Sequence, residues 1–283
     1  MASFTNFATL SYNGGTTNSN IVPGEILEAL TAVKTAVSAN YSAGDRITYA
    51  LSLVNTGTAA VTDYTVTDNL GGYTVGANTV YPLAYNTGTV RYYINGVLQT
   101  APTVTAGPPL TVTGLTIPAG GSAVLIYETT ATPVAPLATG SSITNTATIT
   151  GGGLTNPITA QATVETATSA DLTISKALSP TTVTENGQIT YTFVISNTGN
   201  TEATATGNVV VTDTFAPILR NIAVTYNGTA WTEGTNYTYN AATGVFTTLA
   251  GQITVPAATF TQNTDGTFTV TPGTATLVIT GTV

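Results

Sequence analysis

The chain has 283 residues, of which 42% are hydrophobic and only 6% charged, and its net charge is -8. Five basic residues in an acidic chain leave no footprint for nucleic acid or an anionic membrane. The absence of Cys and His excludes disulfides, thiol nucleophiles, Ser-His triads and the common zinc sites, so no metal and no cofactor is expected.

The length suits two domains, and the abundance of Thr, Val and Tyr favours pleated, half-buried strands. From the N-terminus, MASFTNFATLSYNGG has neither a basic region nor a long apolar core, so it does not read as a signal peptide. Surface location then implies a leader outside this sequence or another route, such as lysis of a spore mother cell. Residues 3–14 read as a strand with Phe4, Asn6, Ala8 and Leu10 on one face. The stretch 24–37, GEILEALTAVKTAV, has helical spacing, but its repeat partner DLTISKALSP is β-branched and ends in Pro, so both read as first strands. No apolar run approaches bilayer length; the longest is Ala123-Val124-Leu125-Ile126-Tyr127, so membrane insertion is not expected.

An internal repeat sets the architecture. Residues 30–57 align without a gap on residues 172–199 at a constant offset of 142. Lys34 meets Lys176, Ile47-Thr48-Tyr49 meets Ile189-Thr190-Tyr191, and Asn55-Thr56-Gly57 meets Asn197-Thr198-Gly199. Val66-Thr67-Asp68 then meets Val211-Thr212-Asp213, and Asn95-Gly96 and Asn227-Gly228 mark hairpins in both halves. SAVLIYE at 122–128 is set against ATLVITG at 275–281. Alternation in ITYALSLV and ITYTFVIS, with turn residues between short strands, is the pattern of a β-sandwich. The expected fold is all-β: two tandem immunoglobulin-like sandwiches at 23–165 and 166–283, preceded by a donor strand and linker at 1–22.

The run of Lys, GD or NG before ITY, then NTG, VTD, Pro-x-Gly and ITNTATI resembles the conserved repeat domain of bacterial surface proteins known as domain of unknown function 11. The resemblance covers nearly the whole chain. It implies an extracellular or surface-layer immunoglobulin-like module, used in arrays and without enzymatic activity.

Domain 1 is expected to end in a last strand at Ser142–Gly153, for which domain 2 has no counterpart. Ser3–Gly14 aligns with it, with identity at Ser, Thr, Asn, Ala, Thr and Gly. A sandwich short of a strand exposes unpaired backbone. The expected partner is therefore another copy, whose N-terminal strand fills the groove head to tail by β-augmentation and yields an open filament. A fragment cut from a longer array, and fold-back within one chain, are the alternatives.

The chain has two lysines, and they are repeat equivalents. Strand phase turns Lys34 inward with Leu30 and Ala32, and Lys176 inward with Leu172 and Ile174. Asp68, Asp213, Asn145 and Asn6 are in phase with apolar neighbours as well. A buried lysine needs a partner or must lose its proton. Two readings stay open: a structural Lys-Asp ion pair with an Asn hydrogen bond, or an intramolecular isopeptide bond. The arrangement resembles that of collagen-binding adhesin and pilin domains, which implies that Lys attacks the Asn carboxamide while the carboxyl shuttles a proton. The sets are Lys34, Asp68 and Asn145 in domain 1, and Lys176, Asp213 and the neighbouring copy's Asn6 in domain 2. Such chemistry occurs once per site, so no turnover enzyme is expected.

Asn227-Gly-Thr and Asn236-Tyr-Thr match the glycosylation sequon, although Asn227 reads better as a turn residue. Asp265-Gly266 reads as a turn, not a calcium loop. Tyr92, Tyr93 and Trp231 are candidates for a glycan patch, with packing on the sheet the plainer account. The expected function is a structural fibre subunit on a cell or spore surface whose partners are its own copies. An adhesin module with a host or matrix ligand, or a passive stalk spacer, is the alternative.

Overall fold

The computed structural model describes residues 2–26 and 29–283; Met1, Leu27 and Glu28, the last two within the ambiguous 24–37 stretch, lie outside the described residues. The described residues are all-β, with one 3-10 turn at Ala205–Gly207 and no α-helix. The chain divides into two compact units, Met1–Ala135 with Ser142–Glu165, and Pro136–Ser141 with Thr166–Val283.

The N-terminal segment is a ribbon of two arms. Strand β1 (Ala2–Asn6) pairs with β4 (Val22–Ile26), and β2 (Thr9–Tyr12) pairs with β3 (Gly15–Asn18). Asn13 and Gly14 join the arms with φ of 45° and 79°, as a two-residue hairpin turn needs. Asn13 and Gly14, expected to extend the strand, are thus the turn, and 15–22, expected as linker, form most of a second arm. Strand pairing satisfies backbone groups that a bare linker would leave to water.

Unit 1 continues with β5 (Leu30–Ala36), β6 (Asn40–Tyr41), β7 (Arg46–Asn55), β8 (Val61–Asp68), β9 (Tyr73–Val75), β10 (Asn78–Val80) and β11 (Leu83–Tyr85). Then follow β12 (Arg91–Ile94), β13 (Val97–Leu98), β14 (Thr103–Thr105), β15 (Leu110–Ile117), β16 (Ser122–Ala131), β17 (Ser142–Gly151) and β18 (Ile158–Thr166). One sheet runs β13-β12-β16-β7-β5 with β11 also on β16, and the other β14-β15-β8-β17-β18-β6. Alternation buries Ile47, Tyr49, Leu51 and Leu53 on β7 against Val66, Leu115, Ile143, Ala147 and Ile149. The strand at Ser142–Gly151 is not the last of its unit. It turns into β18, a second arm one residue shorter, because Ala160, Ala162 and Val164 alternate inward as well.

Unit 2 holds β19 (Leu172–Ser179), β20 (Gln188–Asn197), β21 (Thr212–Thr214), β22 (Arg220–Tyr226) and β23 (Thr229–Trp231). After these come β24 (Tyr237–Asn240), β25 (Val245–Thr248), β26 (Thr259–Gln262), β27 (Phe268–Thr271) and β28 (Gly273–Thr282). The sheet β19-β20-β28-β22-β23 repeats β5-β7-β16-β12-β13 strand for strand. The facing sheet is only β21-β25-β24, beside a separate ribbon of β26 and β27.

Pairing corrects one sequence alignment. Leu51 faces Leu125 and its equivalent Phe193 faces Leu277, so Ala123, not Ser122, corresponds to Ala275. A shift of one residue exchanges inside and outside, and the alternate residues of both strands that turn inward make the structural register unambiguous.

The Asn-Thr-Gly motif has a physical cause. Asn55 Nδ2 donates to Ala59 and Pro118 carbonyls at 2.9 and 3.0 Å, and its Oδ1 accepts from Gly57 N–H. Asn197 repeats this with Thr201, Pro256 and Gly199. Each buried amide is satisfied while tying two loops to a strand end.

Candidate functional site

In unit 1, Lys34 on β5 reaches across the sandwich to Asp68 on β8, with Nζ to Oδ2 at 2.5 Å and side-chain exposures of 0% and 1%. Asp68 accepts a short hydrogen bond from the Tyr127 hydroxyl on β16 and another from Leu70 N–H at 3.0 Å. Lys34 Nζ lies 4.8 Å from the Tyr49 ring centroid and 5.8 Å from that of Tyr127. Asn145 is fully buried on β17, two residues from Ala147, which faces Asp68 across the ladder. Its Nδ2 donates to the Tyr127 hydroxyl at 3.5 Å, and its side chain also interacts with the Tyr49 hydroxyl.

The electrostatics follow from burial. Desolvation draws Lys34 down to about 8, against the charge and hydrogen bond of Asp68. Burial, then the Asp68 charge, pushes Tyr127 and Tyr49 well up. Lys34, Asp68 and Asn145 therefore meet in one dry cluster, together with Tyr127 and Tyr49. The one-residue slip in aligning the last strand hid the role of Tyr127. Only the pairing of Tyr127 with Tyr49 places it over the acid.

In unit 2, Lys176 on β19 also forms an ion pair with Asp213 on β21, with side-chain exposures of 40% and 18%. Its Nζ lies 4.5, 5.4 and 5.6 Å from the ring centroids of Tyr191, Phe193 and Phe215. The counterpart of Tyr127 is Ile279, so no phenol bonds this acid. Nothing among the described residues stands where β17 and β18 cover the first cluster. The outer edge of β21 is unpaired, and 182–183, equivalent to β6, is not a strand. Ile174, Leu178, Val183 and Val210 are 56%, 38%, 37% and 45% exposed. A cleft of about 170 Å³ opens between Leu172, Ile174, Ile195, Val209 and Val211.

The ribbon carries the complementary excess. Phe4, Leu10, Tyr12 and Val22 are 53%, 62%, 62% and 56% exposed, and Asn6 and Ala8 are exposed beside them. Exposed large apolar side chains in this number are candidates for an interaction surface.

The weaker candidates resolve structurally. Tyr92 is buried, its hydroxyl donating to Thr116 O at 2.6 Å, and its equivalent Tyr226 bonds Thr254 in the same way. Trp231 stacks on Tyr226 at 4.9 Å. Asn227 has φ of 48° before Gly228, and Asp265 accepts from Thr267 N–H inside a turn. Among the described residues no group of three or more His, Cys, Asp or Glu could hold a metal, and no helix is long and apolar enough to cross a membrane.

No family model and no curated protein matches the chain. Among solved structures it is similar to BcpA, the major pilin subunit of Bacillus cereus, at 14% identity and TM-score 0.36, over 96% of this chain and 73% of that one. It is similar to the full-length major pilin SpaD from Corynebacterium diphtheriae at 12% identity and TM-score 0.35, over 85% and 60% of the two chains. It is also similar to the N-terminal domain of the Streptococcus gordonii adhesin Sgo0707 at 16% identity and TM-score 0.35, over 47% of this chain and 31% of that one.

Proposed function

We propose that the chain is a structural subunit of a self-assembling extracellular filament on a cell or spore surface, joined head to tail when the N-terminal segment of one copy completes the second sandwich of the next. One observation carries the reading. The Lys34–Asp68 pair is sealed under β17, whereas the equivalent Lys176–Asp213 pair is open, and the strand that repeats β17 in sequence stands exposed at the N-terminus. An unpaired sheet edge recruits strands, and an interface between two different surfaces propagates without closing. Electron microscopy of the purified chain should show filaments, and deletion of residues 2–12 should abolish them. A monomer that binds glycan or matrix protein instead would select a binding module.

The filament is locked by isopeptide bonds. Lys34 Nζ attacks Asn145 Cγ; the Nζ–Cγ bond forms, the Cγ–Nδ2 bond breaks, and ammonia leaves. Asp68 carries the proton from Nζ to the departing Nδ2. Burial supports this chemistry by favouring the neutral amine. At the junction the same step joins Lys176 to the neighbouring copy's Asn6, with Asp213 as shuttle. The bond staples facing sheets in a chain that has no disulfides. Each site reacts once, so this is maturation and not turnover.

A further inference from the structure

We infer that the element passed between copies is a two-armed hairpin, residues 2–26, and that it closes the second sandwich as β17 and β18 close the first. This rests on the filament reading above and specifies its interface.

The gap in unit 2 is two strands wide. In unit 1 the span from β8 to β6 is bridged by β17 and β18 together. A single inserted strand would satisfy the β21 edge and leave its own outer edge, and residues 182–183, unpaired. The outer part of the ribbon matches the bridging hairpin in pairing and its first arm matches in sequence, while nearer the turn the ribbon slips by one residue, with Thr9 facing Asn18 where Thr148 faces Thr159. Ser142 faces Glu165 and Asn145 faces Ala162; in the ribbon Ser3 faces Glu25 and Asn6 faces Val22. Ile143, Ala147, Ile149, Ala162 and Val164 are all at most 8% exposed, so the ribbon's corresponding face is the one built for burial.

Side-chain sizes are exchanged in a compensating way. The inward pair Ile143–Val164 becomes Phe4–Gly24, and the Phe4 ring lies directly over Gly24. Gly151 faces the buried Tyr64 in unit 1. By the same register Tyr12 faces Val209, a wall of the open cleft. The bulk that Tyr64 supplies from the acceptor side in unit 1 is supplied by Tyr12 from the donor side at the junction. Packing of this kind is worth several side chains of burial.

The spacing to the next strand is short in both cases, though two residues shorter after the ribbon. Leu172 follows Glu165 by seven residues, and Leu30 follows Glu25 by five. The repeat is therefore a hairpin followed by an open sandwich, and each sandwich is closed by the hairpin that begins the next repeat. For unit 1 that hairpin is β17 and β18; in the filament reading the hairpin that closes unit 2 is residues 2–26 of another copy.

The test separates a hairpin from a single strand. Thr5 and Pro23 face each other on the outward side, where their counterparts Thr144 and Thr163 place hydroxyls 2.9 Å apart. The Thr5→Cys/Pro23→Cys chain, oxidised, holds the arms together. It should assemble like the wild type, whereas insertion of one strand alone would be blocked until reduction. Val22→Asp buries a carboxylate only if the second arm docks, and should raise the concentration needed for filaments by about tenfold or more. Circular dichroism checks that both variants keep folded sandwiches. Assembly of Val22→Asp at wild-type concentrations, or of the stapled chain only after reduction, overturns the hairpin and leaves strand donation standing. A wild-type chain that stays monomeric, or a Phe4→Asp/Leu10→Asp chain that assembles normally, overturns both.

Discussion

Replacing Asn145 with Ala removes the electrophile while leaving Lys34 and Asp68 in place. The freed amine then titrates inside the protein. Burial draws Lys34 from the ordinary 10.5 to about 8. An unfolded lysine holds its proton up to 10.5, so between those values the unfolded chain binds more protons and stability rises with pH. At about 1.4 kcal/mol for each pH unit between the two values, the gain from pH 7 to 9.5 is about 2 kcal/mol. The window stops there because unfolded tyrosines ionise near pH ~10, and the buried Tyr49, Tyr64 and Tyr127, all held higher, then lose stability as pH rises further. The wild type, with Nζ tied up as an amide, has no such rise. Trp231 lies in unit 2, so unit 1 is followed by hydrogen exchange of β7 and β16 in urea. Intact mass is read in parallel: the wild type should be lighter than calculated by one ammonia, and Asn145→Ala should have its full mass. Removing the cross-link should also cost about 4–5 kcal/mol, by analogy with a disulfide closing a loop of ~100 residues. A wild-type chain of full calculated mass, with the same pH dependence as the variant, refutes the bond and leaves a buried ion pair.

Two further outcomes follow from the junction. Wild-type filaments boiled in detergent should give a ladder of linked subunits, and Asn6→Ala should collapse it to monomer while filaments still form, because Phe4 and Leu10 remain; an unchanged ladder would remove Asn6 from the chemistry. Val209→Tyr should block assembly by filling the cleft, and adding Tyr12→Gly should restore it, since Tyr opposite Gly is the pair unit 1 already uses. Failure of the double variant to recover, with both sandwiches folded, would show that the register is wrong.

The proposed exchange would stabilise the ribbon. A two-stranded hairpin is marginal by itself in water, and this one holds Phe4, Leu10, Tyr12 and Val22 more than half exposed. Burial of each large apolar side chain contributes roughly 1.5–3 kcal/mol before entropy. On the acceptor side this gain is partly offset, because Lys176, already paired with Asp213, would lose its remaining hydration.

Sequence alone determined the all-β class, because period-two alternation in segments such as ITYALSLV has no helical reading. It also determined the repeat and the phase that turns Lys34 inward, since the identities at constant spacing are visible in the letters. Tertiary structure decided what depends on pairing between distant strands. The last strand of unit 2 aligned one residue out of register by letters, because ATLVITG and AVLIYET carry apolar residues on both faces and only the ladder to β20 chooses between them. The second arm at 15–26 was illegible because Gly15, Thr16, Thr17 and Asn18 read as loop, and become strand only when paired with β2. Equal letters at Lys34 and Lys176 conceal unequal surroundings. What covers a charge is set by neighbours in space, and β17 lies more than a hundred residues from the lysine it seals.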